Sequence, residues 1–158
     1  MQYQAVVFDM DGVIFDTERL VIEFWKEVAK KHNIPNIEHT CIQCLGTNRV
    51  RTREIFLENY GADFPFDPYR AEVTELFNTH YKGVPLPTKP GIRELLNYLQ
   101  EQDIKVGLAS STAQHLVRDE IGTAGLLPYF QTLVCGDMVE HSKPAPDIFL
   151  KACEILNA

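Results

Sequence analysis

Asp9 and Asp11, in the run Asp9-Met10-Asp11-Gly12, are residues whose types and spacing could do chemistry. A carboxylate can attack phosphorus and form an aspartyl-phosphate, which divides one hard displacement into two easier ones. A second acid two residues on can give a proton to the leaving oxygen and later take one from the attacking water. Far along the chain, the hydroxyls of Ser110 and Ser111 and the ammonium of Lys143 could hold phosphoryl oxygens, with backbone N–H groups at a turn or a helix start as further donors. Carboxylate and phosphate repel one another. A hard dication with oxygen ligands, magnesium above all, would bring them together.

Taken singly, each feature has a plainer meaning. Asp-x-Asp-Gly is a common turn, Ser110-Ser111-Thr112 could cap the next helix, and Lys143 before Pro144 could be a solvated loop lysine. The case for chemistry therefore depends on where the surrounding elements put these residues.

Gln4 to Phe8 is a short apolar, β-branched run that breaks at Asp9, as expected for a buried strand ending in a tight turn. From Thr17 to His32, Leu20, Val21, Phe24, Val28 and Ala29 recur at helical spacing. Further helices are expected over Ile37–Leu45, Asn48–Tyr60 and Pro68–Tyr81, with no strand among them. A stretch rich in proline and glycine, residues 82–91, then leads into a helix at Ile92–Gln100. Beyond it come a strand at Lys105–Ala109, a helix at Thr112–Thr123, a strand at Thr132–Cys135 and a helix at Asp147–Asn157. Strands alternating with helices predict an α/β fold with a parallel, Rossmann-like sheet and an inserted helical lobe. The expected division is residues 1–16 with 83–158 as the core and 17–82 as the insertion. Ligands bind beyond the carboxyl ends of such strands, and three strand ends deliver Asp9 and Asp11, Ser110 and Ser111, and, shortly afterwards, Lys143.

Composition narrows the function. The chain has 158 residues, 45% of them hydrophobic, and a formal net charge of −7. That charge argues against a broad nucleic-acid surface, which needs clustered cations, but admits a small phosphorylated ligand. No apolar run is long enough to span a membrane, and the first residues lack a signal-peptide pattern, so the cytoplasm is the expected location. Cys41-Ile42-Gln43-Cys44 has the form C-x-x-C. Without a second such pair, a histidine pair or a preceding strand, it reads as two half-buried thiols more readily than as a redox or zinc site.

The motifs Asp9-Met10-Asp11-Gly12-Val13-Ile14-Phe15-Asp16-Thr17-Glu18, Leu108-Ala109-Ser110-Ser111 and Lys143-Pro144-Ala145-Pro146-Asp147-Ile148-Phe149 resemble the haloacid dehalogenase-like superfamily, in its branch of β-phosphoglucomutase and small sugar-phosphate phosphatases. The resemblance covers the whole chain. It implies Asp9 as nucleophile and metal ligand, and Asp11 as general acid and base whose main-chain carbonyl also binds Mg2+. Ser110 and Ser111 would bind phosphate, Lys143 would bridge nucleophile and phosphate, and the helical lobe would act as a cap. Thr17, Gly46 and Arg49 would then face the substrate, with Leu45-Gly46-Thr47-Asn48-Arg49 as the cap loop.

Departures from the family pattern shape the expectation. Sugar phosphomutases of this branch carry a His where this chain has Val21 and a Lys where it has Leu45, so a phosphatase is favoured over a mutase. Asp11 argues against dehalogenation, and no convincing cap lysine supports phosphonate chemistry. Family members continue into a fourth strand with an acidic pair that completes the magnesium site, whereas this sequence stops at Ala158. A truncated chain is expected, with Asp137 or Glu140 as weak substitutes for the missing acid and with self-association through a bare edge at the first strand. The expected function is a Mg2+-dependent phosphatase of a small phosphorylated metabolite, with a phosphomutase or an inactive binding fragment as alternatives.

Overall fold

The computed structural model describes residues 3–47, 49–141 and 143–158. They divide into two units, Met1–Asp16 with Gly83–Ala158, and Thr17–Lys82. The first holds strands β1 (Ala5–Phe8), β2 (Lys105–Ser110) and β3 (Thr132–Cys135), with helices α5 (Ile92–Glu101), α6 (Gln114–Thr123) and α7 (Asp147–Leu156); the second holds α1 (Thr17–His32), α2 (Ile37–Gln43), α3 (Arg49–Tyr60) and α4 (Phe66–His80).

The sheet is parallel, in the order β1-β2-β3, with β1 at one edge. Parallel strands must be joined by crossovers, which α5, α6 and α7 follow or supply, and both faces of the strands need cover. Ile148 and Ala152 of α7 pack with Ala109 and Val134 of the sheet, with Val7, Met138 and Phe149 around them. Gly107 lets this helix lie close: a β-carbon there would stand 3.0 Å from Leu156 Cδ1 and 3.2 Å from Thr132 Cγ2. The predicted α/β class and the absence of strands between Thr17 and Lys82 both agree with the described elements.

Differences at the element ends have local causes. Helix α6 begins at Gln114 rather than Thr112, because Ala113 is extended and the Thr112 carbonyl accepts the Gly136 N–H (3.1 Å) instead of starting a helix. Helix α4 begins two residues earlier than expected and carries Pro68 in its first turn, where a missing N–H costs little. Helix α2 stops at Gln43, and α3 is described from Arg49, the expected start at Asn48 lying outside the described residues.

The helical unit is built on aromatic packing. Trp25 of α1 sits 4.6 Å from Phe56 and 6.0 Å from Phe66, centroid to centroid, and all three rings are buried. The buried face of α1 therefore includes Trp25, whereas Val21, read from spacing as part of it, is 38% exposed. Glu18 in the first turn and Lys30, Lys31 and His32 in the last complement the helix dipole.

The segments running into and out of this unit are stitched together. Asp16 N–H donates to Pro87 O (2.9 Å), Lys89 N–H to Ile14 O (2.8 Å), and Lys89 Nζ pairs with Asp16 Oδ1 at 2.5 Å.

Ile148→Ala is expected to lower stability by about 2–5 kcal/mol, the usual cost of truncating a fully buried aliphatic residue. Urea unfolding followed by circular dichroism measures it.

Candidate active site

The loop after β1 is fixed from within. The Met10 carbonyl accepts N–H groups from Val13 (3.4 Å), Ile14 (2.9 Å) and Phe15 (3.2 Å). Met10 itself is buried, and Gly12 takes φ 71°, a left-handed conformation that glycine adopts without strain. With Met10 turned inward, its neighbours Asp9 and Asp11 are left half-buried and exposed respectively. Asp9 is held further by the Met10 N–H, which donates to its Oδ1 at 2.7 Å.

Parallel register brings the next strand's end alongside. Phe8 is level with Leu108, so Asp9 is level with Ala109. Lys143, distant in sequence, reaches both: its Nζ lies 2.7 Å from Asp9 Oδ1 and donates to Ala109 O at 3.0 Å. The ammonium also stands 5.0 Å from the Phe149 ring centroid, within reach of a cation–π attraction. Asp9 and Lys143 side chains keep 39% and 24% exposure, so a ligand from solvent can reach the pair.

Ser110 closes β2 and is fully buried, whereas Ser111 is exposed. The Ser110 hydroxyl oxygen accepts the Thr112 N–H at 3.1 Å, and a hydroxyl that accepts can also donate. This is a turn within the loop and not a cap on α6, so the capping alternative for these serines does not hold. The loop after β3 matters here too: Asp137 accepts the Gln114 N–H with both carboxylate oxygens, 3.2 Å each. Among the described residues, no group of three or more His, Cys, Asp or Glu could hold a metal ion.

The three residues suggested for substrate contact belong to the helical unit. Thr17 opens α1 and is buried. Gly46 has φ +71° in the turn after α2, with nothing within 4 Å of where a β-carbon would sit. Arg49, first in α3, pairs with Asp67 at 3.2 Å, and Arg53 pairs with the same carboxylate at 3.3 Å. The two guanidiniums hold the Asp67 carboxyl below its ordinary range.

Two groups stand out for other reasons. Cys41 is buried and its thiol is pushed up to about 12 by desolvation; Cys44 is also raised, mainly by burial, and its thiol donates to Thr40 O at 3.2 Å. Thiols of this kind are poor nucleophiles and poor metal ligands, which favours the structural reading of the C-x-x-C run. Glu120 of α6 was not singled out by sequence. Its carboxyl is pushed up to about 7, first by burial and then by the negative charges of Asp11 and Asp119. Only its helical spacing from the serine loop could have drawn notice.

The parallel sheet with an acidic loop after its first strand, and a lysine bridging that loop to the second, defines an α/β core of Rossmann-like type. Residues 6–158 match the haloacid dehalogenase-like hydrolase family, and the chain belongs to it. A phosphorylated carbohydrates phosphatase of Thermotoga maritima is 32% identical over 98% of this chain and 71% of the relative. A β-phosphoglucomutase of Bacillus subtilis is 34% identical over 98% and 70% respectively. A Thermotoga maritima crystal structure with a provisional β-phosphoglucomutase name superposes with a TM-score of 0.73 at 32% identity, covering 98% of this chain and 71% of that one.

Glu120 yields a pH test. A carboxyl whose folded pKa is raised from 4.5 to about 7 makes its full stabilising contribution below the lower value and loses it as pH rises through the upper one. Glu120→Gln should therefore match the parent near pH 4.5 and have the higher thermal midpoint at pH 8, both measured by calorimetry in EDTA.

Proposed function

We propose that this chain is the core of a phosphatase for a small phosphorylated metabolite, a sugar phosphate above all, working through an aspartyl-phosphate on Asp9. The observation that carries this reading is the Lys143 ammonium, 2.7 Å from Asp9 Oδ1 and 3.0 Å from Ala109 O. A cation beside a partly exposed carboxylate offers a second, oppositely charged partner to an incoming phosphoryl oxygen. The similarity to a phosphorylated carbohydrates phosphatase over nearly the whole chain supports the substrate class.

In this reading Asp9 attacks phosphorus, Asp11 protonates the leaving oxygen and then takes a proton from the hydrolytic water. Lys143 neutralises charge gathering on the phosphoryl oxygens, and Ser110 and Ser111 donate to them. The donor set also suits magnesium: carboxylate and carbonyl oxygens of Asp9 and Asp11 are hard ligands, and this ion commonly binds through one or two carboxylates, water and substrate phosphate. When bound there, magnesium would supply charge neutralisation between nucleophile and phosphate. Asp137 accepts the Gln114 N–H at the start of α6 and is assigned to that role here. Thr17, Gly46 and Arg49 are assigned to substrate selection on the family resemblance.

A phosphomutase is the second reading, favoured by the 34% identity to a β-phosphoglucomutase. Val21 and Leu45 stand where that activity's histidine and lysine are expected, and both are exposed aliphatic side chains that can neither carry protons nor pair with phosphate. Hydrolysis is the better fit.

Asp9→Asn should cut phosphate release from sugar monophosphates by roughly a thousandfold or more while leaving the circular dichroism spectrum unchanged. Turnover retained by this variant refutes the nucleophile assignment. Isomerisation that needs a bisphosphate primer in the parent would favour the mutase.

A further inference from the structure

The segment Ser110–Gln114 joins β2 to α6, and two of its holds come from the residues just after β3. Gly136 N–H donates to Thr112 O at 3.1 Å. Its Cα lies so close to the neighbouring peptide that a β-carbon would stand 2.2 Å from Ser111 O and 2.9 Å from Ser111 C. Both are backbone atoms, which cannot swing aside as the tip of a flexible side chain could. The second hold is Asp137. Helix α6 has Ala113 at its N-cap, a residue without a capping oxygen, and Asp137 supplies the missing acceptor to the Gln114 N–H from another part of the chain. A negative charge there also suits the positive end of the helix dipole.

We propose that Gly136 and Asp137 are positioning residues for the phosphate-binding loop. Gly136 permits the close approach that sets the course of Ser111 and Thr112, and Asp137 pins the start of α6. Together they fix the loop in which Ser111 follows Ser110, the last residue of β2, level with the loop that carries Asp9. Neither residue touches substrate in this scheme; each acts through the Ser110–Gln114 backbone. The inference rests on the reading of that loop as a phosphate site, and its test separates the two.

Amide exchange of the ligand-free protein, read residue by residue by NMR, is to be paired with calorimetric titration of inorganic phosphate in the presence of magnesium. Gly136→Ala and Asp137→Ala should each speed exchange at Thr112 and Gln114 by roughly three- to thirty-fold and weaken phosphate binding about tenfold. Asp137→Asn, which keeps an acceptor oxygen, should recover most of both. Gly122→Ala, at a position with open space around it, should change neither. Should Gly136→Ala fail to fold, Asp137→Ala, on an exposed residue, decides alone. Unchanged exchange at Gln114 in that variant overturns the proposal, as does faster exchange with unaltered phosphate affinity. A parent protein that binds no phosphate refutes the phosphate site itself, while the exchange rates still decide whether the two residues hold the loop.

Discussion

The constraint on which the rest depends is the parallel register of β1, β2 and β3. With Phe8 level with Leu108, and Ser110 level with Cys135, the residues following each strand must emerge at the same edge of the sheet. Nothing in the local sequence of Asp9 requires it to meet Lys143, 134 positions away. The register does so by setting Asp9 beside Ala109, whose carbonyl holds the lysine at 3.0 Å. A single-residue slip of β1 against β2 would turn its apolar side chains over to the opposite face and break this alignment. Packing of α7 on Ala109 and Val134 opposes any such slip, so the burial of Ile148 and Ala152 and the placing of the charged pair are one problem solved once.

Three acidic groups at this edge each have a different reason to be where they are. Asp9 is paired with an ammonium and accepts its neighbour's N–H. Asp137 is taken up by a helix start. Glu120 has burial without a cation, and its carboxyl is accordingly driven towards the neutral form. Three carboxylates near one loop thus differ in their surroundings: one faces a cation and solvent, one serves structure, and one favours its proton. For the phosphate site proposed above, such pairing matters, since unpaired negative charge facing the ligand would repel it.

The fold was legible where local physics decides it. Four-to-six-residue β-branched runs and the 3.6-residue recurrence of Leu20, Phe24 and Val28 announce strands and helices because burial selects for them. The motif residues were legible because aspartates at a strand's end, repeated by serines and a lysine at others, are hard to explain by turns alone. What escaped was tertiary. Trp25 replaced Val21 on the buried face of α1 because Phe56 and Phe66, from elsewhere in the chain, formed an aromatic pocket for it. The late start of α6 escaped because the partner of Thr112 O is Gly136, and the cap of Gln114 is Asp137. In sequence, Asp137 drew notice only as a weak substitute for a missing metal-binding acid, and nothing marked Gly136.

That last case explains why the loops here resist reading one at a time. The serine loop after β2 carries no capping residue at Ala113 and, among the described residues, makes one side-chain hold of its own, Ser110 Oγ to Thr112 N–H. Left to itself it would sample several conformations, at an entropic cost when a ligand selected one. Its order is supplied by the next loop, through a contact that only glycine permits and a charge aimed at a helix end. The β1 loop differs: the Met10 carbonyl collects three N–H groups from its own successors, so it is ordered locally. One edge therefore joins a self-sufficient acidic loop to a serine loop that depends on its neighbour, and Lys143 bonds to both strand ends at Asp9 and Ala109.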